Sequence, residues 1–143
     1  MINEINVKIK KLHPEAKIPV IGTYNSAGFD FFSVQEETLK PGETKIINTG
    51  VALEIPEGKT LLLFDRSGMA TKSMHRFGGV IDSDYRGEIK FVLCNFSGKE
   101  YKINKGDRIG QGIIQDYYKP VFEETEKFSD SERGENWNNS TGR

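Results

Sequence analysis

The stretch GGVIDSDYRGE at residues 78–88 is the most informative part of this 143-residue chain. Two β-branched residues, Val80 and Ile81, lead into Asp82, which predicts a short strand that ends in an aspartate. The polar turn that follows holds Tyr85, so the pattern predicts a buried carboxylate beside an aromatic ring. Such a pair suits a general base next to a sugar or a ring. By itself the stretch favours a plain β-hairpin, because Asp, Ser and Gly are turn residues.

Short apolar runs recur along the chain, separated by turn sequences such as Lys40-Pro41-Gly42 and by a break at Thr49-Gly50. The runs at 61–64 and 89–96 are almost continuously apolar, which predicts strands that are covered on both faces. The one helix candidate, around 68–75, is short and polar. We therefore predict an all-β domain, either a β-sandwich or a jelly-roll-like distorted β-barrel, in which oligomerisation helps to cover the strands.

The composition excludes several classes of function. Twenty basic and 21 acidic residues leave a net charge of -1, so no global positive field attracts nucleic acid or membrane, and an anionic ligand requires local cations. The single cysteine, Cys94, excludes an intramolecular disulfide, and His13 and His75 show no zinc-binding spacing. The sequence shows neither a signal peptide nor an apolar span of membrane length. We expect a soluble, cytoplasmic protein.

The composition changes near residue 123, where an acidic and polar segment begins. We predict a β-barrel domain over 1–122 and a flexible C-terminal arm over 123–143. The arm contains Arg133, the only tryptophan, Trp137, and the hydroxyl pair Ser140-Thr141. Such an arm can close over an aromatic ligand that bears anionic groups, although its composition also suits an ordinary loose terminus.

Three further segments carry polar side chains next to strands. Arg66-Ser67-Gly68 follows an apolar run and offers a guanidinium, a hydroxyl and backbone N–H groups to a phosphate, or forms a simple turn with a salt bridge. Asp30 lies between phenylalanines, where it can orient an arginine or contact the water shell of a cation. Gln111 can donate to a phosphate oxygen, whereas Arg108 is expected to form an inter-strand ion pair.

In their order and spacing these segments resemble the five motifs of the homotrimeric deoxyuridine triphosphatases (dUTPases). The resemblance extends from about residue 5 to the end of the chain, and the third motif is the most specific. The five motifs correspond here to Ala27-Gly28-Phe29-Asp30, Arg66-Ser67-Gly68-Met69-Ala70, the segment 79–87, Gly106-Asp107-Arg108-Ile109-Gly110-Gln111, and the segment 133–142.

The resemblance implies a dUTPase that releases dUMP, a precursor for thymidylate synthesis, and pyrophosphate, and so limits uracil in DNA. Asp82 would be the general base for attack of water on the α-phosphorus of dUTP. Tyr85 would pack under the deoxyribose and leave no room for a 2′-hydroxyl. Backbone groups of Gly79-Val80-Ile81, with Lys90, would bind the uracil edge and leave no space for a 5-methyl group.

The resemblance also implies a homotrimer whose active sites are shared between subunits. The substrate phosphates would be held by Arg66, Ser67 and Gly68 contributed by a neighbouring subunit. Gln111 would contact the phosphates as well. Mg²⁺ would be bound directly by the triphosphate and through water by Asp30. From the arm, Arg133 would clamp the γ-phosphate, Trp137 would stack on uracil, and Ser140 and Thr141 would add hydroxyl contacts.

The chain departs from the family pattern at several positions. Asp65 adds a negative charge near the phosphates, Arg76 lies where some members use an asparagine near the uracil, and Gly110 replaces the usual alanine as a mild change. Trp137 falls one position before the usual aromatic. Two alternatives remain at this stage: a deoxycytidine triphosphate deaminase of the same trimeric fold, and a binding or regulatory protein built on a dUTPase scaffold.

Overall fold

A computed structural model describes residues 4–135, and short strands dominate it, as the apolar runs predict. The one helix within this range, α1, comprises Ser67–Ala70. The strands are β1 (Lys8–Lys11), β2 (Val20–Ile21), β3 (Phe29–Phe32), β4 (Glu37–Leu39), β5 (Thr44–Glu54), β6 (Lys59–Phe64), β7 (Met74–Phe77), β8 (Val80–Ile81), β9 (Glu88–Asn95), β10 (Tyr101–Ile103) and β11 (Arg108–Asp116).

The strands form two main antiparallel sheets and one small pair. The four-stranded sheet has the order β1-β5-β9-β7, the five-stranded sheet has the order β2-β3-β11-β6-β8, and β10 pairs with β4. The all-β class is therefore confirmed. The sheets do not close into a barrel, however, because each keeps two edge strands.

Aromatic packing joins the two main sheets. Phe31 of β3 and Phe91 of β9 are almost completely buried, and their ring centroids lie 5.6 Å apart. A methyl group added at Gly110 would overlap the Phe91 ring. Gly110 is therefore required by the large side chain opposite it, so the expectation that this position is only a mild departure is wrong.

The predicted break at Thr49-Gly50 is a bulge inside the long strand β5. The pairing register with β9 shifts between Asn48 and Ala52, and Gly50 has a φ of +69°. Two hydrogen bonds give partners to polar groups at the bulge. The Thr49 hydroxyl donates to the Ile89 carbonyl at 2.5 Å, and the Gly50 N–H donates to the Glu88 carboxylate at 2.8 Å. A glycine here allows the strand to continue, because its backbone adopts a positive φ without strain.

The helix ends earlier than the sequence suggests. α1 is only one turn long, Ser73 has a φ of +59°, and His75 lies in β7. β7 pairs with β9, so inter-strand hydrogen bonds replace the helical ones from Met74 onward. The helix candidate at 68–75 is therefore wrong for its second half. Within the described residues, no helix is long and apolar enough to cross a membrane.

The segment 78–88 is not a β-hairpin. β7 belongs to the four-stranded sheet, whereas β8 pairs with β6 in the five-stranded sheet. The crossing falls at Gly78 and Gly79, whose φ values are +68° and +113°. Two successive glycines permit this change of sheet, because other residues are strained at such angles. The chain then returns to the first sheet as β9.

Candidate functional site

A polar cleft of about 370 Å³ collects side chains from three of the five sequence segments. β3 contributes Asp30, the end of β6 leads into Arg66 and Ser67, and β11 contributes Gln111. β11 lies between β3 and β6, so the sheet order itself places these residues together. The fold therefore brings the first, second and fourth segments together in one chain.

Asp30 organises the charges of this cleft. Its Oδ1 accepts from Arg66 Nε at 2.9 Å, and its Oδ2 lies 3.0 Å from an Arg108 terminal nitrogen. The Asp30 side chain is only 17% exposed, so water screens the pairs less than at an open surface. The inter-strand ion pair expected for Arg108 is present, and Asp30 orients an arginine. One carboxylate between two guanidiniums leaves a net positive charge that favours an anion.

The Gln111 side chain is fixed in the cleft by a hydrogen bond to the backbone, and it occupies space that is open because Gly28 has no side chain. Its Nε2 donates to the Asp65 carbonyl at 2.8 Å, and a Cβ added at Gly28 would overlap its amide oxygen. Ser67 is exposed, and a Cβ at Gly68 would meet nothing within 4 Å. The cleft therefore has a fixed amide on one side and an accessible backbone on the other.

The stretch 78–88 presents its acid to solvent. Asp82 directly follows β8 and is exposed, so the expectation of a buried carboxylate is wrong. The reason is that β8 is an edge strand, and the turn after it has no neighbouring strand to cover it. The Tyr85 N–H donates to the Asp82 carbonyl at 3.2 Å, which places acid and aromatic side chain on one turn as the sequence predicts.

The Tyr85 ring is fixed over a glycine. Its hydroxyl donates to the Glu88 carbonyl at 3.0 Å, and a Cβ added at Gly87 would overlap the ring. Tyr85 nevertheless remains 43% exposed. A partly exposed aromatic ring is therefore held in place on the turn that follows Asp82.

The outer edge of β8 carries free hydrogen-bonding groups of the backbone. Leu61 pairs with Ile81 and Leu62 with Val80, and the Leu63 N–H donates to the Gly79 carbonyl at 2.8 Å. In the alternating pattern of an antiparallel pair, Gly79 and Ile81 then face β6, while the N–H and C=O of Val80 point away from it. Lys90 lies in β9 opposite Asn48, in the other sheet, with its ammonium 3.8 Å from Glu88.

One chain does not bring the acid and the cleft together. Ile81 pairs with Leu61, so Asp82 lies near the start of β6. Arg66 lies beyond the other end of β6, which stops at Phe64. Thr60, at the level of Asp82, donates to the Ile81 carbonyl at 2.9 Å. Arg66 lies six positions after Thr60, and a strand rises about 3.3 Å per residue, so the Cα atoms are separated by roughly 20 Å.

Four residues that line the cleft were not among the predicted site residues: Ala27 and Gly28, which the sequence placed only in the first motif, and Gly22 and Ser26 before them. The Ser26 hydroxyl accepts the Thr23 N–H at 3.1 Å. The signal was the turn composition Gly-Thr-Tyr-Asn-Ser just before Asp30. Turns this close to a strand end contribute to the same rim as the strand's own side chains.

Only one of the four predicted site residues of the C-terminal arm lies within the described residues. Arg133 is exposed near the end of the described residues, while Trp137, Ser140 and Thr141 lie outside them. Among the residues described, no three His, Cys, Asp or Glu side chains form a cluster that could hold a metal ion. A metal bound here would need most of its ligands from the bound molecule.

Comparisons with known proteins give a consistent result. The dUTPase family model matches residues 14–142. A deoxyuridine 5'-triphosphate nucleotidohydrolase of Nautilia profundicola is 44% identical over 142 residues, which cover 97% of this chain and 100% of that protein. The dUTPase of Staphylococcus bacteriophage 80alpha, solved with dUPNHPP, is similar with a TM-score of 0.86 and 31% identity, covering 91% of this chain and 94% of that one. A variant dUTPase from phage phi11 of S. aureus, whose structure concerns a structural Mg(II) ion, has a TM-score of 0.82 and 27% identity over 88% of this chain and 100% of that one.

Proposed function

Because the chain belongs to the dUTPase family, we propose that it hydrolyses dUTP to dUMP and pyrophosphate with Asp82 as the general base. The observation that carries this proposal is the edge strand β8. It presents the backbone groups of Val80 outward and ends in Asp82 at an accessible turn. Family membership also selects this activity over a deaminase of related fold.

β8 is suited to bind a pyrimidine edge. Uracil offers one N–H donor between two carbonyl acceptors, and the free N–H and C=O of Val80 complement such an edge as a neighbouring strand would. Gly79 and Ile81 keep this edge straight through their bonds to β6. Tyr85, held by the Glu88 carbonyl, provides the flat apolar surface for the deoxyribose. Lys90 stays a predicted contact of the base.

The cleft is suited to bind the phosphates. Arg66 is oriented by Asp30, Gln111 is oriented by the Asp65 carbonyl, and Ser67 and Gly68 leave an accessible surface. Guanidinium and amide donors match phosphate oxygens, and donors that are already oriented lose little entropy on binding. We assign to this cleft the β- and γ-phosphates, which become the leaving pyrophosphate.

In the reaction a water oxygen forms a bond to the α-phosphorus while the bond from that phosphorus to the bridging oxygen of the β-phosphate breaks. The proton of the water passes to the Asp82 carboxylate, and pyrophosphate leaves with the bonding electrons. Asp82 is exposed in the single chain, so water reaches it freely. The cations of the cleft stabilise the charge on the departing pyrophosphate.

Mg²⁺ enters this proposal as an ion carried by the substrate. Both Asp30 oxygens already accept bonds from arginines, and the described residues contain no ligand cluster, so the residues present fit an ion whose direct ligands are phosphate oxygens and water. Asp30 keeps lone pairs for such waters, because a carboxylate accepts about four hydrogen bonds. When bound, Mg²⁺ supplies positive charge to the phosphates.

We further propose a homotrimer in which the cleft of one subunit completes the site of another. The roughly 20 Å between the backbone positions of Asp82 and Arg66 within one chain favours a site that takes the two side chains from different copies. The outer face of the four-stranded sheet is also apolar: Ile46 and Phe77 both pair with Val92, and they are 58% and 45% exposed. A second copy packed on the chain would cover such a row.

The C-terminal arm is proposed to close the site. No strand or helix occurs between Asp116 and the end of the described residues, yet Tyr118, Val121 and Phe122 are more than 90% exposed. Large apolar side chains in an extended segment favour docking on another surface. Arg133 would then reach the γ-phosphate, followed by Trp137 on the base and by Ser140 and Thr141.

The decisive experiment is an assay of pyrophosphate release with dUTP, dCTP, dTTP and UTP in the presence of Mg²⁺. We expect turnover of dUTP and at least a hundredfold lower kcat/KM for the other three. The cytosine edge of dCTP leaves hydrogen-bonding groups of β8 unpaired, whereas the 5-methyl group of dTTP and the 2′-hydroxyl of UTP require space that the proposed site does not offer. Comparable rates with dCTP or UTP would contradict base recognition by β8 or sugar recognition by Tyr85. Deamination of dCTP without pyrophosphate release would contradict the function itself.

A further inference from the structure

Asp65 directly precedes the cleft residue Arg66, and its carboxylate is engaged with the opposite sheet. Its Oδ2 lies 2.5 Å from His75 Nδ1, and its Oδ1 accepts the Arg76 backbone N–H at 2.9 Å. The Asp65 side chain is 22% exposed. Both contacts are on β7, so this carboxylate ties the end of β6 to the edge strand of the other sheet.

The backbone of the same residue supports the cleft. The Asp65 carbonyl accepts the Gln111 amide at 2.8 Å, and Arg66 follows it in the chain. Three oxygen atoms of Asp65 are therefore occupied, two toward β7 and one toward β11. The expectation from the sequence was that Asp65 adds a negative charge near the phosphates. In the structure the Asp65 carboxylate instead contacts His75 and the Arg76 backbone N–H.

We propose that Asp65 is a positioning residue for phosphate binding, an inference that rests on the function proposed above. By holding the end of β6 against β7, it fixes where Arg66 begins and where the carbonyl that orients Gln111 lies. Donors that are fixed before the anion arrives lose less entropy on binding than donors on a free segment. Without the carboxylate, the turn at 65–67 keeps the Arg66 guanidinium, but the backbone that carries it is less firmly fixed.

The part of the site that binds the base has contacts of its own besides Arg76, whose backbone N–H is bonded to Asp65. β8 is paired with β6 through residues 61 and 62, and the Leu63 N–H holds the Gly79 carbonyl. Arg76 supports the same crossing through a second contact, because its guanidinium donates to the Gly78 carbonyl and lies 5.5 Å from the Phe64 ring centroid. Loss of the Asp65 carboxylate should thus weaken phosphate binding and leave nucleoside binding unchanged.

The test measures binding of two fragments by calorimetry in the presence of Mg²⁺, with no turnover required. Inorganic pyrophosphate probes the cleft, and deoxyuridine probes β8 and Tyr85. For Asp65→Ala we expect the Kd of pyrophosphate to rise roughly tenfold, the scale of one lost charge-assisted hydrogen bond, and the Kd of deoxyuridine to stay within about twofold. Asp65→Asn should give a smaller rise, because its amide oxygen still accepts the Arg76 N–H.

Asp116→Ala is the matched control, since it removes an acid from the far end of β11 that pairs with Lys59. It should change neither Kd. If Asp65→Ala does not fold, Asp65→Asn and His75→Ala test the same contact from each side. Unchanged pyrophosphate binding in these variants, or equal weakening of both fragments, would overturn the positioning role. Wild-type binding of both fragments without hydrolysis of dUTP would overturn the proposed function and leave this inference standing.

Discussion

A mixing experiment between two inactive variants tests whether the active site is shared between copies. Asp82→Asn removes the proposed base, and Arg66→Ala removes the phosphate donor at the other end of β6. The backbone positions of the two residues lie roughly 20 Å apart in one chain, which favours a site that takes the two side chains from different copies. We therefore expect each variant alone to be inactive and a mixed oligomer to regain activity.

The size of the recovery follows from random assembly of equal amounts of the two chains. A working site needs its base from an Arg66→Ala copy, which has a probability of one half, and its cleft from an Asp82→Asn copy, which has the same probability. Recovery should thus reach about a quarter of the wild-type kcat, provided that the two parts come from different copies. If one chain supplied both parts, every site would carry one lesion and activity would stay at the parental level.

The assay is pyrophosphate release after the two chains are co-expressed with different affinity tags. The value of about a quarter applies to the unselected mixture; purification of mixed trimers through both tags should raise it to about a third, because each mixed trimer contains one working site in three. As an internal check, wild type is mixed with a chain that carries both substitutions, and this second mixture is assayed before purification through the tags. Sharing between copies predicts about a quarter of wild-type activity for it, whereas sites within one chain predict about half. No recovery in the first mixture together with one half in the second would refute the shared site.

Three further predictions concern single positions. Asp82→Asn should lower kcat by about a hundredfold or more while calorimetry still detects binding of a non-hydrolysable dUTP analogue, and retention of substantial turnover would remove Asp82 as the base. Gly110→Ala should lower the free energy of unfolding in urea by about 1–3 kcal/mol because its methyl group meets the Phe91 ring, and Phe91→Leu should make that loss smaller; additive losses would contradict the overlap. The Lys45 hydrogen bond lowers the pKa of Glu37, so this pair stabilises the fold above the ordinary pKa of the carboxyl, and the contribution is lost as pH falls through the lowered value. Glu37→Gln should therefore weaken the fall of Tm below about pH 5, and an unchanged Tm profile would contradict that linkage.

Local sequence patterns predicted strands, turns and one ion pair that the structure contains, because those patterns depend on near neighbours in the chain. Turn sequences and apolar runs predicted the strands, and Val80 and Ile81 predicted a strand that ends at Asp82. The expected pairing of Arg108 with another strand is present, as is the role of Asp30 in orienting an arginine. These outcomes depend on alternation, charge and turn chemistry, which a short stretch of sequence contains.

Sequence patterns failed where the outcome depended on which strands pair. The stretch 78–88 has the composition of a hairpin, but Gly78-Gly79 carry the chain into the other sheet. The same change puts Asp82 on an edge and exposes it. Asp65 likewise looked like an added charge at the phosphates, until β7 brought His75 against it. Which strands pair depends on the packing of the whole core, and a short stretch of sequence does not contain that information.

The sequence alone determined which chemical groups are available: an acid on a turn, an arginine and a serine after a strand, and a C-terminal segment with an arginine and a tryptophan. The tertiary structure decided how these parts are distributed. Antiparallel pairing of β8 with β6 places Asp82 and Arg66 at opposite ends of one strand, because direction and register fix position along a sheet. That distance is the physical reason to expect a site assembled from more than one copy of the chain.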